Sequence, residues 1–285
     1  MTPTITDHYQ AQQEITLLWE KICQTLNDAE IDIQHITSDL LAPVDQLHTG
    51  GRKASIALLE KTSLPSGCSI VEIGAGLGGT ARVLADKLNA HVTAVDITPS
   101  FSYACQQINQ LMHYNSINTV CADACRLDQI ESNSQDAVLS QHTIMNIPDK
   151  SAVLDTIQRI LKPGGQLLLH EIVAGTNKDP ITLPVPWASE PEHSHLPDDA
   201  RFRALFESHG FTIRSWEDIS DNALNWRKKH SERENGERET GHTQQKSPLN
   251  PTLIFGARFQ QMGKNVQQNL ANGRISIIQA VLEKQ

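Results

Sequence analysis

Val71-Glu-Ile-Gly74-Ala-Gly76-Leu-Gly78-Gly79 is the stretch whose reading decides the fold. Apolar residues lead into it and an apolar-periodic segment leads out, so it reads as a strand, a tight turn and a helix N-terminus. Gly74, Gly76 and Gly79 satisfy GxGxxG, a spacing that is weak evidence by itself. Asp96, in Val95-Asp96-Ile97, lies 22 residues after Gly74. An acid at the end of the next strand can hold ribose hydroxyls, so the pair points to a nucleoside cofactor. A dinucleotide would lay its pyrophosphate over the helix start. An adenosyl cofactor with no phosphate satisfies the same spacing.

Outward from the turn the alternation is regular. Strands are expected at 69–73, 91–96, 119–122, 136–140 and 166–172, with helices at 79–88, 99–114 and 150–161. Pro99 near a first turn is tolerated because its missing N–H has no partner to lose there. Strands spaced in this way by helices argue for an α/β, Rossmann-like, doubly wound parallel sheet. Upstream, residues 9–35 carry helical spacing through Ile15, Leu18, Trp19, Ile22 and Leu26. Residues 39–51 read as loop and 52–62 as helix. Downstream, residues 173–197 hold five prolines and are not expected to form a regular element. A helix follows at 201–209, a strand at 211–217 and helical segments within 221–230 and 251–269. A polar excursion spans 231–245, and a terminal strand spans 274–282. No internal repeat is visible.

Val71–Gly79, Val95-Asp-Ile97, Ala122-Asp-Ala124, Asp136–His142 and Leu161-Lys-Pro-Gly-Gly165 occur in one order between about residues 47 and 172. In that order they resemble the class I S-adenosylmethionine-dependent methyltransferases, of the small-molecule ubiquinone/menaquinone and sarcosine/dimethylglycine type. The Leu-Lys-Pro-Gly-Gly turn is the piece that a nicotinamide oxidoreductase, the rival enzyme class, does not account for. The resemblance implies a seven-stranded sheet, mostly parallel with an antiparallel last strand, plus a helical cap. It divides the chain into N-terminal helices and a cofactor-covering segment (1–64), a methyltransferase core (65–217), an insert or cap (218–273) and a final core strand (274–285). It implies S-adenosylmethionine as cofactor, leaving S-adenosylhomocysteine, and a methyl group passed in line to an N, O or C atom. A non-catalytic S-adenosylmethionine-binding protein is the non-enzyme alternative.

Carried onto this sequence, the resemblance puts the turn Gly74-Ala75-Gly76 against the amino-acid arm of the cofactor. Glycine lacks the Cβ that would block the approach. Glu72 beneath the turn would accept from the cofactor ammonium. Asp96 would hold the ribose hydroxyls and Ile97 would pack on adenine. Asp123 and the Ala124 N–H would meet the adenine edge, and Gln141 would line the methionine end. Thr49, Gly51 or Arg52 would cover the cofactor, as would Tyr9 with Asp7 and His8, although a plain glycine hinge is an alternative for residues 48–52. For the transfer itself, the nucleophile must be held in line and water excluded. A base helps where the acceptor releases a proton. His142, just past the fourth strand, is the candidate base, and His48 and His170 are runners-up, with an interior structural role equally open for His170. Glu171, His142 and Trp187 are candidate acceptor contacts; Trp187 serves equally well as a pin for its loop. Trp226 and Met262 carry the same ambiguity.

Composition narrows the field. The chain has 285 residues, 39% hydrophobic and 20% charged, which suits one large domain with additions. A formal charge of −9, and the absence of an Asn/Asp-Pro-Pro-Tyr segment after the fourth strand, argue against nucleic acid as a partner. No apolar run approaches the roughly 18 residues of a membrane span, and the N-terminus lacks the features of a signal peptide. Cys23, Cys68, Cys105, Cys121 and Cys125 match no strong zinc spacing, so no metal is expected and a reducing cytoplasm is the simplest setting. The partners expected are a small-molecule substrate, no stable membrane association, and either a monomer or a homodimer.

Overall fold

The computed structural model describes residues 15–229 and 247–285. The polar excursion at 231–245 and Asp7, His8 and Tyr9 lie outside the described residues. One seven-stranded sheet organises the chain: β1 (Ser69–Ile73), β2 (His91–Asp96), β3 (Ile117–Cys121), β4 (Gln135–Gln141), β5 (Leu161–Ala174), β6 (Phe211–Asp218) and β7 (Ile275–Lys284). Their spatial order is β3-β2-β1-β4-β5-β7-β6. The pairs β1–β2, β2–β3, β1–β4 and β4–β5 are parallel, whereas β7 runs antiparallel to both β5 and β6. The chain leaves β1 toward one edge through β2 and β3, then returns to the other side of β1 with β4. That reversal opens a crevice at the carboxyl ends of β1 and β4.

The helices that cover the sheet are α1 (Leu17–Asp28), α2 (Ser38–Asp45), α3 (Gly51–Leu59), α4 (Gly79–Leu88), α5 (Pro99–Leu111), α6 (Lys150–Ile160) and α7 (Asp199–Ser208). A helix over 220–229 (α8) and the helix Phe259–Ala271 (α9) follow. Both sheet faces are covered, so the central strands are apolar throughout rather than alternating. Val71, Ile73, Val138, Leu167 and Leu169 face α6 and α7, while Ile70, Ala137, Leu139 and Leu168 face α3 and α4. The period of two fixes where each polar residue of these strands goes. Glu72, Gln141 and His170 fall on the α3–α4 face; Ser140 and Glu171 fall on the α6 face.

Several local expectations need correction. Residues 38–45, expected to be part of a loop, form α2 despite Pro43 inside it. Thr37 caps the helix by accepting from the Leu40 N–H at 3.2 Å, and fully buried Leu41 and Val44 hold it to the core. Tertiary packing there outweighs the proline's missing hydrogen bond. β5 starts at Leu161 rather than 166, because the Lys-Pro-Gly-Gly run continues as an irregular strand, with a register shift between Gln135 and Ala137 on β4. Among the described residues, the N-terminal helical region holds α1 at Leu17–Asp28 and a 3-10 turn at Ile33–His35. Helices α3 and α5 stop at Leu59 and Leu111, short of the expected ends.

The segment between β6 and β7 is anchored at two places. Leu249, Leu253 and Ile254 pack on the α1 and α2 residues Leu18, Ile22 and Leu41. Ala223, Val266 and Leu270 pack with Trp187, Ile172 and Ile277. Together the two anchors hang the segment across the carboxyl ends of β1, β4 and β5. Among the described residues, no helix is long and apolar enough to cross a membrane.

Candidate active site

A cavity of about 1440 Å³ opens at the carboxyl ends of the parallel strands, under the segment between β6 and β7. The glycine turn forms one end. Gly74, at φ +71°, approaches the Thr143 loop so closely that a Cβ would collide with the Thr143 side chain. Gly79 meets the backbone of Asp45 in the same way. Gly76 faces open space, and its N–H donates to Asp96 Oδ2 at 2.8 Å. The Thr98 N–H donates to Asp96 Oδ1 at 2.8 Å. Each Asp96 oxygen thus keeps accepting capacity toward the cavity. Asp96 is 9% exposed; burial raises its pKa, opposed by the Thr98 and Gly76 amides.

Glu72 lies beneath the turn, 4% exposed, with Oε2 buried and without a hydrogen-bond partner. Burial pushes its carboxyl up to about 8, against the pull of the Arg82 charge and the Ala81 N–H. An unpartnered buried acceptor of this kind is costly unless a ligand donor completes it. Gln141, the last residue of β4, accepts from Ser55 Oγ at 3.1 Å and leaves its own Nε2 unpartnered. Ile97 is 40% exposed on the cavity wall, and Phe101 one turn into α5 also lines it. Asp123, Ala124, Thr49 and Gly51 line the same end. Asp123 also accepts from the Cys125 N–H at 2.9 Å. Arg52 lines the cavity at a longer ionic reach from Asp39 and Asp86, 3.6 and 3.9 Å.

Behind the turn stands a brace that sequence reading missed. Arg82 and Asp45 are 1% and 2% exposed and paired at 2.7 Å. Arg82 also donates to Asn109 Oδ1 at 2.7 Å and to the Leu77 carbonyl at 2.8 Å. The signal was an arginine within an otherwise buried stretch of α4; its partner sat in a segment read as loop.

Three histidines meet at the β4–β5 side. Strand parity sends His170 toward α3, where its ring lies 5.6 Å from His48 and 5.0 Å from His142. His142 adopts φ +51° and lines the cavity, with Nε2 buried and unpartnered. His48 Nε2 lies 3.0 Å from the Gly51 carbonyl, an acceptor, which assigns the proton to that nitrogen. Burial holds all three imidazoles neutral: His48 is pushed down to about 4 and His142 to about 3 by burial with help from His48, and His170 falls well below the usual range. His170 Nδ1 faces Gln279 Nε2 at 3.1 Å, across the β5–β7 register. His170 is therefore interior and lies off the cavity wall.

Glu171 does not reach the cavity, which corrects the expectation of an acceptor contact. The parity that brings His170 toward α3 sends Glu171 to the α6 face. There its carboxylate accepts from Ser140 Oγ, Thr143 N and Ile144 N and fixes the loop that carries His142. Burial pushes its carboxyl up to about 7. Trp187 lines the cavity and also pins its loop, donating to Ser194 Oγ at 3.1 Å and packing with Met145 and Ile172. Trp226 and Phe259 line the far wall. Met262 is buried in α9 and does not line the cavity. Among the described residues, no group of three or more His, Cys, Asp or Glu could hold a metal ion.

Comparison with known proteins fits this site. Residues 71–169 match the family described as methyltransferase domain. The chain is 29% identical over 171 residues to phosphoethanolamine N-methyltransferase 1 of Arabidopsis thaliana, which covers 56% of this chain and 34% of that protein. It is 29% identical over 185 residues to dimethylglycine N-methyltransferase of Parasynechococcus marenigrum, covering 63% and 64% respectively. The chain thus spans about a third of the length of the plant relative. Haemonchus contortus phosphoethanolamine N-methyltransferase 2, solved with phosphomonomethylethanolamine and S-adenosylhomocysteine, shares the fold with a TM-score of 0.69 at 20% identity, covering 99% of this chain and 60% of that one. The matched domain, the strand order around the glycine turn and these relatives together make residues 71–169 similar to the methyltransferase domain of small-molecule methyltransferases.

Proposed function

We propose that the protein transfers a methyl group from S-adenosylmethionine to a small-molecule acceptor. The observation that carries the reading is the unpartnered Glu72 carboxylate oxygen, buried beneath the glycine turn and one strand away from Asp96. These residues fit a ligand with an ammonium at one end and a ribose in the middle. Glu72 would hold the ammonium, directly or through water, and Asp96 the ribose hydroxyls. Ile97 and Phe101 would flank adenine, with Asp123 and the Ala124 N–H at its edge. Gln141 would offer its free Nε2 near the methionine arm, and Thr49, Gly51 and Arg52 would cover it. The described residues between 218 and 273 serve as the cap over the acceptor. The five free cysteines support a reducing, cytoplasmic setting.

When bound, the cofactor supplies an electrophilic methyl group on a sulfonium, so the chain's own residues need only orient, exclude water and manage a proton. His142 is neutral and half-buried on the cavity wall, and accepts a hydrogen bond from an acceptor hydroxyl. Its depressed pKa makes it a weak base toward a resting hydroxyl. As the new carbon–oxygen bond forms, however, the oxygen becomes positive and its proton strongly acidic, so an imidazole of low pKa suffices to take it. His48 is the runner-up for that proton. Trp187 walls the acceptor.

The test is incubation with a methyl-labelled donor and a broad metabolite pool, with mass identification of the product. Labelled product from the wild type, with turnover strongly lowered in His142→Ala and S-adenosylhomocysteine affinity retained, is the expected outcome. Cofactor binding with no transfer to any acceptor would reduce the protein to a binding module.

A further inference from the structure

We infer that the methyl acceptor is a bulky, largely apolar molecule with a flat ring or conjugated segment, presenting a hydroxyl to His142. The inference rests on the methyltransferase reading and narrows its substrate. Three observations converge on it.

The first is size. The cavity, about 1440 Å³, exceeds the roughly 300–1,000 Å³ of a site for one drug-sized ligand. After a nucleoside cofactor is seated along β1–β3, room for a second molecule of similar size remains. An acceptor as small as an amino acid would leave the apolar wall in contact with water.

The second is the wall itself. Aromatic residues make up only 5% of the chain, yet Trp187, from the loop after β5, and Trp226, Phe255 and Phe259, from the segment between β6 and β7, all line the cavity. Trp226, Phe255 and Phe259 are half-buried and so keep surface for a ligand. The Phe255 and Phe259 rings stack at 5.5 Å with planes only 13° apart, which makes a flat slab. Flat rings gain most from flat partners in offset or edge contact.

The third is charge. Aromatic faces also attract ammonium groups, so a cationic amine has to be weighed against a neutral ring system. The carboxylates Glu72, Asp96 and Asp123 belong to the β1–β3 end. On the β4–β5 side, among the described residues, the carboxylate lining the cavity is Asp149, which caps α6 by accepting from the Ala152 N–H at 3.0 Å. Glu171 is turned away and fully engaged. The charged side chains that α8 brings to the wall are Arg227 and Lys229, both cationic. Among the described residues, this side offers an ammonium no carboxylate beyond Asp149, and it accommodates a neutral acceptor. The neutral His142 next to it suits a hydroxyl.

The test is calorimetric titration of the protein saturated with S-adenosylhomocysteine. Quercetin, estradiol and 2-naphthol stand for flat hydroxylated acceptors; dimethylglycine and phosphoethanolamine stand for small amines. At least one flat probe should bind with a Kd below about 100 μM, and neither amine should bind. Trp226→Ala and Phe259→Ala should each weaken that binding by about tenfold, as expected for one lost ring contact, with S-adenosylhomocysteine affinity unchanged. The milder Phe255→Leu serves if either variant fails to fold. Binding of an amine but no flat probe, binding of none of the five, or flat-probe binding that the variants leave unchanged would each overturn the inference. Failure of S-adenosylhomocysteine itself to bind would instead overturn the methyltransferase reading.

Discussion

At the β1–β3 end of the cavity, residues 72 to 124 supply most of the wall through the turns that follow three consecutive strands, with Thr49 and Gly51 beside them. At the β4–β5 end the wall is gathered from His142, Trp187, Trp226 and Phe259, on four different segments. The first end is backbone-built, braced by a buried ion pair and lined with carboxylates. The second is side-chain-built, rich in aromatic rings and roofed by the described parts of a long connection. A cofactor shared by many enzymes calls for a fixed cradle, and an acceptor peculiar to one enzyme calls for a replaceable wall. The difference between the ends is open to direct attack.

The largest effect is expected from Arg82→Met. It leaves Asp45 buried and unpaired and removes the donors to Asn109 and Leu77. Removing one partner of such a pair destabilises by about 3–5 kcal/mol, readable as a lowered urea midpoint. Trp226→Ala, at the other end, should shift stability by about 1 kcal/mol or less, as for a half-exposed site. Equal losses would erase the contrast in rigidity between the two ends.

Next in size is Asp96→Ala, which should weaken S-adenosylhomocysteine binding by about 1–3 kcal/mol through lost charge-assisted hydrogen bonds. Trp226→Ala should leave that affinity alone. If both variants weaken cofactor binding alike, the cavity is not divided as described.

Smaller are the pH dependences, which are opposite in sign for the buried carboxyls and the buried imidazoles. The Glu72 carboxyl is raised from 4.5 to about 8 in the folded chain. Between those values the unfolded chain has released a proton that the folded chain keeps, so stability falls as pH rises through that window. Glu72→Gln should reduce this slope, the part that Glu171 adds up to about pH 7 remaining. His48 and His142 are lowered from 6.5 to about 4 and about 3. Below pH 6.5 the unfolded chain takes up protons that the folded chain refuses, so stability also falls as pH drops toward 3. His142→Phe should flatten this acid limb and leave the other. Thermal midpoints measured across pH separate the two, and variants that exchange these effects would contradict the assignment.

The two ends also differ in how much of them could be read in advance. The cofactor end was legible because each of its parts is short-range: a glycine turn, an acid at a strand end, and strands whose observed bounds at 69–73 and 91–96 match the expected ones. The Arg82–Asp45 brace escaped because Asp45 sits in a helix interrupted by Pro43, where propensity argues for loop. At the acceptor end the histidine cluster depends on strand parity and register. His170 and Gln279 meet only because β7 inserts between β5 and β6. The same parity removes Glu171 from the cavity, although its place near a strand end made it a natural candidate. Phe255 and Phe259 went unnoticed because helical spacing in an insert does not say which face finds a cavity.

The claim that the glycine turn and Glu72 form an S-adenosylmethionine site is tested most directly by calorimetric titration of S-adenosylhomocysteine in buffers of different ionisation enthalpy at pH 7. Binding with one ligand per chain and release of a proton, as Glu72 ionises to meet the ligand ammonium, is the predicted result, with the proton release abolished in Glu72→Gln. No binding, or binding whose proton release is unchanged in Glu72→Gln, would contradict it.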